Sequence, residues 1–276
     1  MNVLQSLIFG LISGFAEFLP VSSEAHMILL GRLLGFDDVG SGLRLSVHMG
    51  VAAALVLSCI PQISRIVREN KIASMPVRRR KRQPDTTCLL DWRVLKSSTF
   101  FLLLGFLAYP LVGNQGQRLW ILGIGLIING IILYFPQFMP GANKDAHTIS
   151  RADALLIGLA GALGVLPGIS RVGSVSAAGQ VRGCQKEYAL HLTLLLSIPA
   201  LFVLLLIDIA QLIAFGIPGF SFITLFCMLI SCVMSFFGGY FGIQLMRFLS
   251  VKTGFAAFAY YSWGAALFAF ILYLAI

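Results

Sequence analysis

Charge is scarce in this chain. Of its 276 residues only 11% are Asp, Glu, Lys or Arg, against 58% hydrophobic residues, which excludes an ordinary soluble domain. Mean hydropathy is +0.90. Negative charge is scarcer still, with 11 acidic residues against 20 basic ones and a net charge of +9. The five cysteines, Cys59, Cys88, Cys184, Cys227 and Cys232, stand at no metal-ligand spacing. Four fall in or beside apolar segments, where thiols pack as small hydrophobes, so neither a disulfide nor a zinc site is expected. The first twelve residues carry neither a basic leader nor a small-residue cleavage site, and no secretory signal is expected there. These absences leave an integral membrane protein in which each charged residue needs a reason.

A helix needs roughly 20 residues to cross the hydrocarbon. On that measure apolar spans are expected at about 43–60, 96–113, 118–135, 187–213, 220–246 and 255–275, six crossings in all. Two further stretches, 3–34 and 152–183, are interrupted at their centres by "GFAEFLPVSSEAH" and "GALGVLPGISRVGS". Each reads as a helix, a break and a returning helix that re-enters the bilayer. Irregular backbone at that depth requires protein groups or a watery cavity to satisfy it. Basic residues crowd the interval 61–95, including Arg78, Arg79, Arg80, Lys81 and Arg82. The positive-inside rule makes this loop cytoplasmic and places Arg32, Arg44 and Arg118 outside. The run "VRRRKRQ" lacks interleaved aromatics, so orientation and contact with anionic lipid explain it better than nucleic-acid binding.

Laying the two broken stretches over one another reveals a repeat: Gly14 meets Gly161, Leu19 meets Leu166, Pro20 meets Pro167 and Ser23 meets Ser170, always 147 residues apart. The first faces out and the second, three crossings later, faces in. The expected fold class is therefore all-α: a polytopic membrane protein with six transmembrane helices and two re-entrant hairpins in inverted-topology repeats. Residues 1–276 form a single membrane domain. Its first repeat covers 1–135 and its second 152–276, and the midplane interface between them is the usual place for a substrate site.

Pro20 and Pro167 each remove a backbone donor and discourage helix at the preceding residue, so each hairpin turns there. Ser22 or Ser23 then caps a helix with Glu24 and His26 in its first turn, and Ser170 caps one carrying Arg171. Helix starts present unpaired N–H groups and partial positive charge, which suits phosphate, and Arg171 adds a planar donor fork. Glu17 and Glu24 would repel such an anion unless neutral, paired with Arg171 or bridged by a divalent cation. Bridging by Mg²⁺ or Ca²⁺ fits best, because hard cations take carboxylate and phosphate oxygens together. His26 would exchange the proton. The attacking group stays open between a phosphohistidine, the Ser23 hydroxyl and a metal-bound water.

At these residues the chain resembles the undecaprenyl-pyrophosphate phosphatases of the bacitracin-resistance type. That family's first motif reads roughly E-G-x-T-E-F-L-P-V-S-S-x-G-H, and Ser13 to His26 here read "SGFAEFLPVSSEAH". Its second, roughly P-G-x-S-R-S-G-A-T, appears from Pro167 to Val175 as "PGISRVGSV", and "HMG" at 48–50 is also similar. The resemblance implies a plasma (inner) membrane enzyme that removes the terminal phosphate from a polyprenyl diphosphate at the outer face, regenerating the lipid carrier of cell-wall synthesis. Three positions depart: Ser13 replaces the first glutamate, Glu24 follows the serine pair, and Val175 replaces the threonine. Either Glu24 supplies the missing carboxylate from the other arm, or the chain carries polyprenyl phosphate across the membrane without hydrolysing it.

On this reading Glu17, His26, Ser23 and Arg171 are catalytic candidates. Ser170, Arg171, Ser23, Ser174 and Gly168 would bind substrate, Glu17 and Glu24 the metal, with His48 and Ser13 behind them. Ser22 and Ser174 also suit plain capping or polar packing. His147 and His191 have no supporting constellation. Asp208 is placed at the outer end of its span, within reach of water. Phenylalanines such as Phe237 and Phe241 read as lipid-facing or packing surface. Gly239 and Gly242 permit close helix approach, either within the chain or in a homodimer.

Overall fold

The computed structural model describes residues 2–36, 39–112, 118–139, 143–217, 221–252 and 255–275. Residues 113 and 220, at the ends of two expected spans, lie outside them. Among the described residues the fold is helical, with no strand beyond one bridge between Lys144 and Cys184. In chain order the helices are α1 (Val3–Glu17), α2 (Ser23–Leu33), α3 (Ser41–Ser74), α4 (Thr86–Phe106), the single turn α5 (Tyr109–Val112) and α6 (Leu119–Tyr134). They continue as α7 (Arg151–Ala162), α8 (Arg171–Val181), α9 (Lys186–Phe215), α10 (Phe222–Lys252) and α11 (Ala256–Ala275). Among the described residues five stretches are long and apolar enough to cross a membrane: Ser41–Ser74, Leu119–Phe138, Lys186–Phe215, Phe222–Leu249 and Ala256–Ala275. This is a multi-pass membrane protein. The expected span at 96–113 falls in the second half of α4, whose first half carries Asp91, Arg93 and Lys96.

Both interrupted stretches form antiparallel helix pairs with tied open ends. Gln5 Nε2 donates to the Leu34 carbonyl at 2.9 Å, joining the start of α1 to the end of α2. At the start of α7, Asp153 is fully buried and accepts from Lys144 Nζ at 2.8 Å and from Arg182 Nε at 2.6 Å, the latter just past α8. Small residues set the packing of the first arms. A Cβ on Gly10 or Gly14 of α1 would run into the backbone of Ser231 or Ser235 of α10, and one on Gly158 of α7 into Ser98 of α4. Backbones this close exchange dispersion over their whole length, as small-xxx-small faces do in membranes. Gly242 faces the Phe15 backbone and Gly239 the Phe18 ring, so both serve packing within the chain. Elsewhere α3 lies against α9 and α10, and α6 against α11. The largest buried cluster joins Phe9, Phe18, Val51, Leu55, Leu201 and Ile243 from α1, α3, α9 and α10, with Phe18 just after α1.

The interval from Pro61 differs from its reading as loop, because α3 continues through Pro61 to Ser74. Proline removes one donor, and the rest of the ladder carries the helix on. The basic segment then folds back on α3: Arg82 Nη1 donates to buried Glu69 at 2.9 Å and Arg65 Nη2 to Asp85 at 2.5 Å. Asp85 also caps α4, accepting from Thr87 N at 2.9 Å. The Arg65 hydrogen bond holds the Asp85 carboxyl below its ordinary range. A depressed folded value means that the stabilisation is present above the unfolded pKa and lost as pH falls through the folded one. Hydrogen exchange at Thr87 should therefore accelerate only below the usual aspartate range, and Arg65→Gln should move that onset to higher pH.

Candidate functional site

Both helix breaks adopt the geometry that their prolines demand. The first helix of each pair ends before Pro20 or Pro167, and a serine opens the second. Ser22 Oγ accepts from Ala25 N at 3.4 Å, and Ser170 Oγ from Gly173 N at 3.1 Å. Ser22 has φ of +64°, the left-handed region that costs a non-glycine residue energy and is held here by the surrounding packing. Gly168 has φ of +83°, and a Cβ there would meet the Leu122 carbonyl of α6, so the second break lies flat on that helix.

The two breaks touch. Ser170 Oγ donates to the Leu19 carbonyl at 3.3 Å. Asn129 of α6 accepts from Ser170 N at 2.9 Å, and its amide donates to the Pro20 carbonyl at 3.1 Å and to Ser262 Oγ at 2.7 Å. Asn129 is completely buried, and its side chain satisfies one backbone group from each break. At the same junction Arg171 Nη2 donates to Glu17 Oε1 at 2.7 Å, with side-chain exposures of only 10% and 2%. Glu17 Oε2 and Arg171 Nε are buried without a hydrogen-bond partner among the described residues.

A cavity of about 60 Å³ opens beside this ion pair, room for a few waters. Glu17, Ser23, Glu24, His48, Ser170 and Arg171 line it, joined by Arg44, and apolar walls come from Met27, Phe106 and Leu204. Glu24 shares this wall with Arg44, His48 and Glu17. Six of the residues singled out in the sequence thus converge on one polar cavity.

Residues 6–268 match the family model described as bacitracin resistance protein BacA. The chain belongs to this family. A protein of Nocardioides sp. named undecaprenyl-diphosphatase is 32% identical over 204 residues, covering 72% of each chain. Undecaprenyl-diphosphatase 1 of Pseudoalteromonas translucida is 29% identical over 262 residues, covering 95% of each. An undecaprenyl-diphosphatase of Marinobacter nauticus is 32% identical over 199 residues, covering 72% of this chain and 73% of the relative.

Within this member of the BacA family several residues fall outside the cavity. His26 lines a separate apolar cleft with Tyr261, its Nδ1 2.8 Å from the Ser22 carbonyl and its Nε2 2.7 Å from the Tyr261 hydroxyl. The reason is helical: residues two apart point to nearly opposite sides, so Glu24 on the cavity sends His26 away from it. Ser13 and Ser174 are buried one turn from Glu17 and Arg171, their hydroxyls without partners among the described residues. Val175 is buried against α4 and α7.

Asp208 is the clearest correction. It is 1% exposed, not water-facing, and its carboxylate contacts His48 Nδ1 at 2.5 Å and Arg44 Nε at 3.5 Å. Three contributors went unread in the sequence: Asn129, Arg44 and Asp208. Asn129 and Asp208 did leave a signal, since a lone polar residue inside an apolar helix is costly at membrane depth and calls for a partner. The other two histidines tie elements together, His147 to Thr87 at 3.0 Å and His191 to Asp91 at 3.6 Å.

Proposed function

We propose that this chain hydrolyses undecaprenyl or a similar polyprenyl diphosphate to the monophosphate, returning the lipid carrier to cell-wall synthesis. The observation that carries the reading is the buried Arg171–Glu17 pair at the meeting of two capped helix starts, in a chain that belongs to the BacA family. Phosphate is held by the Arg171 fork, which keeps Nε free of hydrogen bonds, and by the N–H groups that open α2 and α8. Glu17 holds Arg171 through Nη2, so the guanidinium is ordered before the substrate arrives and offers its remaining donors to phosphate. The attacking oxygen gives its proton to Glu17, and the leaving lipid monophosphate takes a proton from solvent. A water attacks directly to give orthophosphate, whereas attack by Ser23 forms a phosphoserine that a second water, deprotonated by Glu17, then cleaves to orthophosphate and the free hydroxyl.

Glu17 Oε2, buried without a partner, and Glu24 on the same wall fit a hard divalent cation. Among the described residues no group of three or more His, Cys, Asp and Glu side chains gathers. Two carboxylates would therefore share Mg²⁺ or Ca²⁺ with phosphate oxygens and water. Bound there, the ion would polarise the phosphoryl group. His26, hydrogen-bonded at both ring nitrogens, would position the start of α2 through Ser22.

The wider frame is an inverted repeat with six crossings, α4 included, and two re-entrant hairpins. Pairwise packing supports it: α1 lies on α10 as α7 lies on α4, while α3 meets its counterpart α9 and α6 meets α11. Such a frame in the plasma membrane, with the basic segment cytoplasmic, gives an active site facing out.

Purified protein should release orthophosphate from farnesyl or undecaprenyl diphosphate in a divalent-cation-dependent way. No release, together with movement of polyprenyl monophosphate across liposomes, would identify a carrier instead. The names of the relatives favour hydrolysis.

A further inference from the structure

The cavity has a second cationic arm. Arg44 and His48 stand one turn apart on α3, so their side chains share a face, and both line the cavity together with Glu17 and Arg171. Across from them on α9, Asp208 and Gln211 share a face in the same way. One Asp208 oxygen lies 3.5 Å from Arg44 Nε, an ion pair without a hydrogen bond, the other contacts His48, and Arg44 Nη2 donates to Gln211 Oε1. Tyr109 lines the cavity beside them. The guanidinium is thus held at Nη2 with Asp208 beside its Nε, while Nη1 donates to no described residue. At 18% exposure Arg44 is the more open member of its pair, Asp208 being at 2%. An arginine whose only task was to neutralise Asp208 would need neither the amide on its far nitrogen nor a place on the cavity wall.

We propose that Arg44 is a second phosphate clamp, fixed by Asp208 and Gln211, and that Arg44 and Arg171 together make the cavity select a diphosphate over a monophosphate headgroup. The inference rests on the diphosphate reading above and adds the source of its selectivity. A diphosphate spans two donor forks, each pre-ordered by a carboxylate, whereas a single phosphate engages one. Held forks lose little freedom on binding, so each adds nearly its full charge-assisted hydrogen bonding. The same arrangement favours turnover: cleavage separates the phosphates, and each product keeps one clamp and leaves. Asp208 acts through Arg44, a positioning role.

The test is direct binding to the full-length protein in detergent micelles by titration calorimetry. The probes are methylenediphosphonate, a diphosphate analogue that a phosphatase cannot cleave, and orthophosphate. Wild type should bind the diphosphonate at least about tenfold more tightly, the value of one charged hydrogen bond in a shielded site. Arg44→Gln should weaken the diphosphonate about 10- to 100-fold and leave orthophosphate within about threefold. Arg44→Lys, which keeps the charge but not the fork, should restore part of the loss. Because Arg44→Gln leaves Asp208 with His48 alone and threatens folding, Arg44→Gln/Asp208→Asn removes the pair together and should show the same selective loss. Equal weakening of both probes, no weakening, or no diphosphonate binding by wild type would overturn the clamp. Phosphate release by wild type reads the hydrolase separately: release with an unselective Arg44→Gln sinks only the clamp.

Discussion

Arg171→Ala should lower phosphate release from a polyprenyl diphosphate by about 10²- to 10³-fold, the scale on which one pre-organised electrostatic donor acts on a transition state. Arg171→Lys should recover only part of it, since an ammonium is a point charge and cannot present two parallel donors to two phosphate oxygens. Glu17→Gln should fall at least as far, losing the proton acceptor and a cation ligand at once. Stability complicates a naive comparison, because each single change strands its partner. Removing one member of a buried ion pair costs about 3–5 kcal/mol, mostly from the uncompensated charge that remains. Glu17 is 2% exposed and Arg171 10%, which puts this pair in that class. The double variant Glu17→Gln/Arg171→Gln strands nothing. It should melt closer to wild type than either single variant while remaining inactive, and that split separates chemistry from folding. Wild-type turnover in a well-folded double variant would end the assignment of this pair to the active site.

Much of the site was legible because its signals are local. Proline fixes where a helix breaks, serine where the next begins, and a carboxylate in an apolar run announces a function; these rules placed Glu17, Ser23, Ser170 and Arg171 together. Spacing also fixes which residues share a helix face, and ignoring it misplaced His26: beside Glu24 in sequence, it points to Tyr261. What spacing cannot supply is which helices meet. Arg44 counts as an outside charge when loops are tallied, and Asp208 as the end of a span. Only the packing of α3 against α9 pairs them, with Asp208 buried behind Arg44 and Arg44 on the cavity wall. The same holds at Gly10 and Gly14, which mark a close approach without naming α10 as the partner. Pro61 misled in the opposite sense: a residue that commonly ends a helix lies inside α3, where the chain tolerates the single lost bond.

Asn129→Leu should do more damage than any other neutral substitution near the site. Leucine has asparagine's branching and heavy-atom count and suits an apolar helix better, so α6 keeps its own helix propensity. The loss falls on the two breaks. Ser170 N–H and the Pro20 carbonyl, now joined to Asn129 at 2.9 and 3.1 Å, would be left unpaired where the wild-type amide is fully buried. Each stranded group costs about 1–3 kcal/mol in a protein interior. Membrane proteins recover part of this because the unfolded chain also finds partners, and measured side-chain hydrogen bonds there average about 0.6 kcal/mol. A net loss of about 2 kcal/mol is the expected result, read as a lower midpoint of unfolding in detergent. Ser262→Ala removes only the third hydrogen bond and should cost about half as much, since one amide proton is stranded while both backbone groups keep their bonds to Asn129. Activity should drop further than stability, because Ser170 caps the helix that carries Arg171, and a shift of that cap moves the phosphate clamp with it. Asn129→Asp tests the polarity of the arrangement: an acid still accepts from Ser170 N but faces the Pro20 carbonyl with no donor, so it should be the less active of the two unless protonated. If Asn129→Leu were as stable and active as wild type, the breaks would be held by something other than this amide.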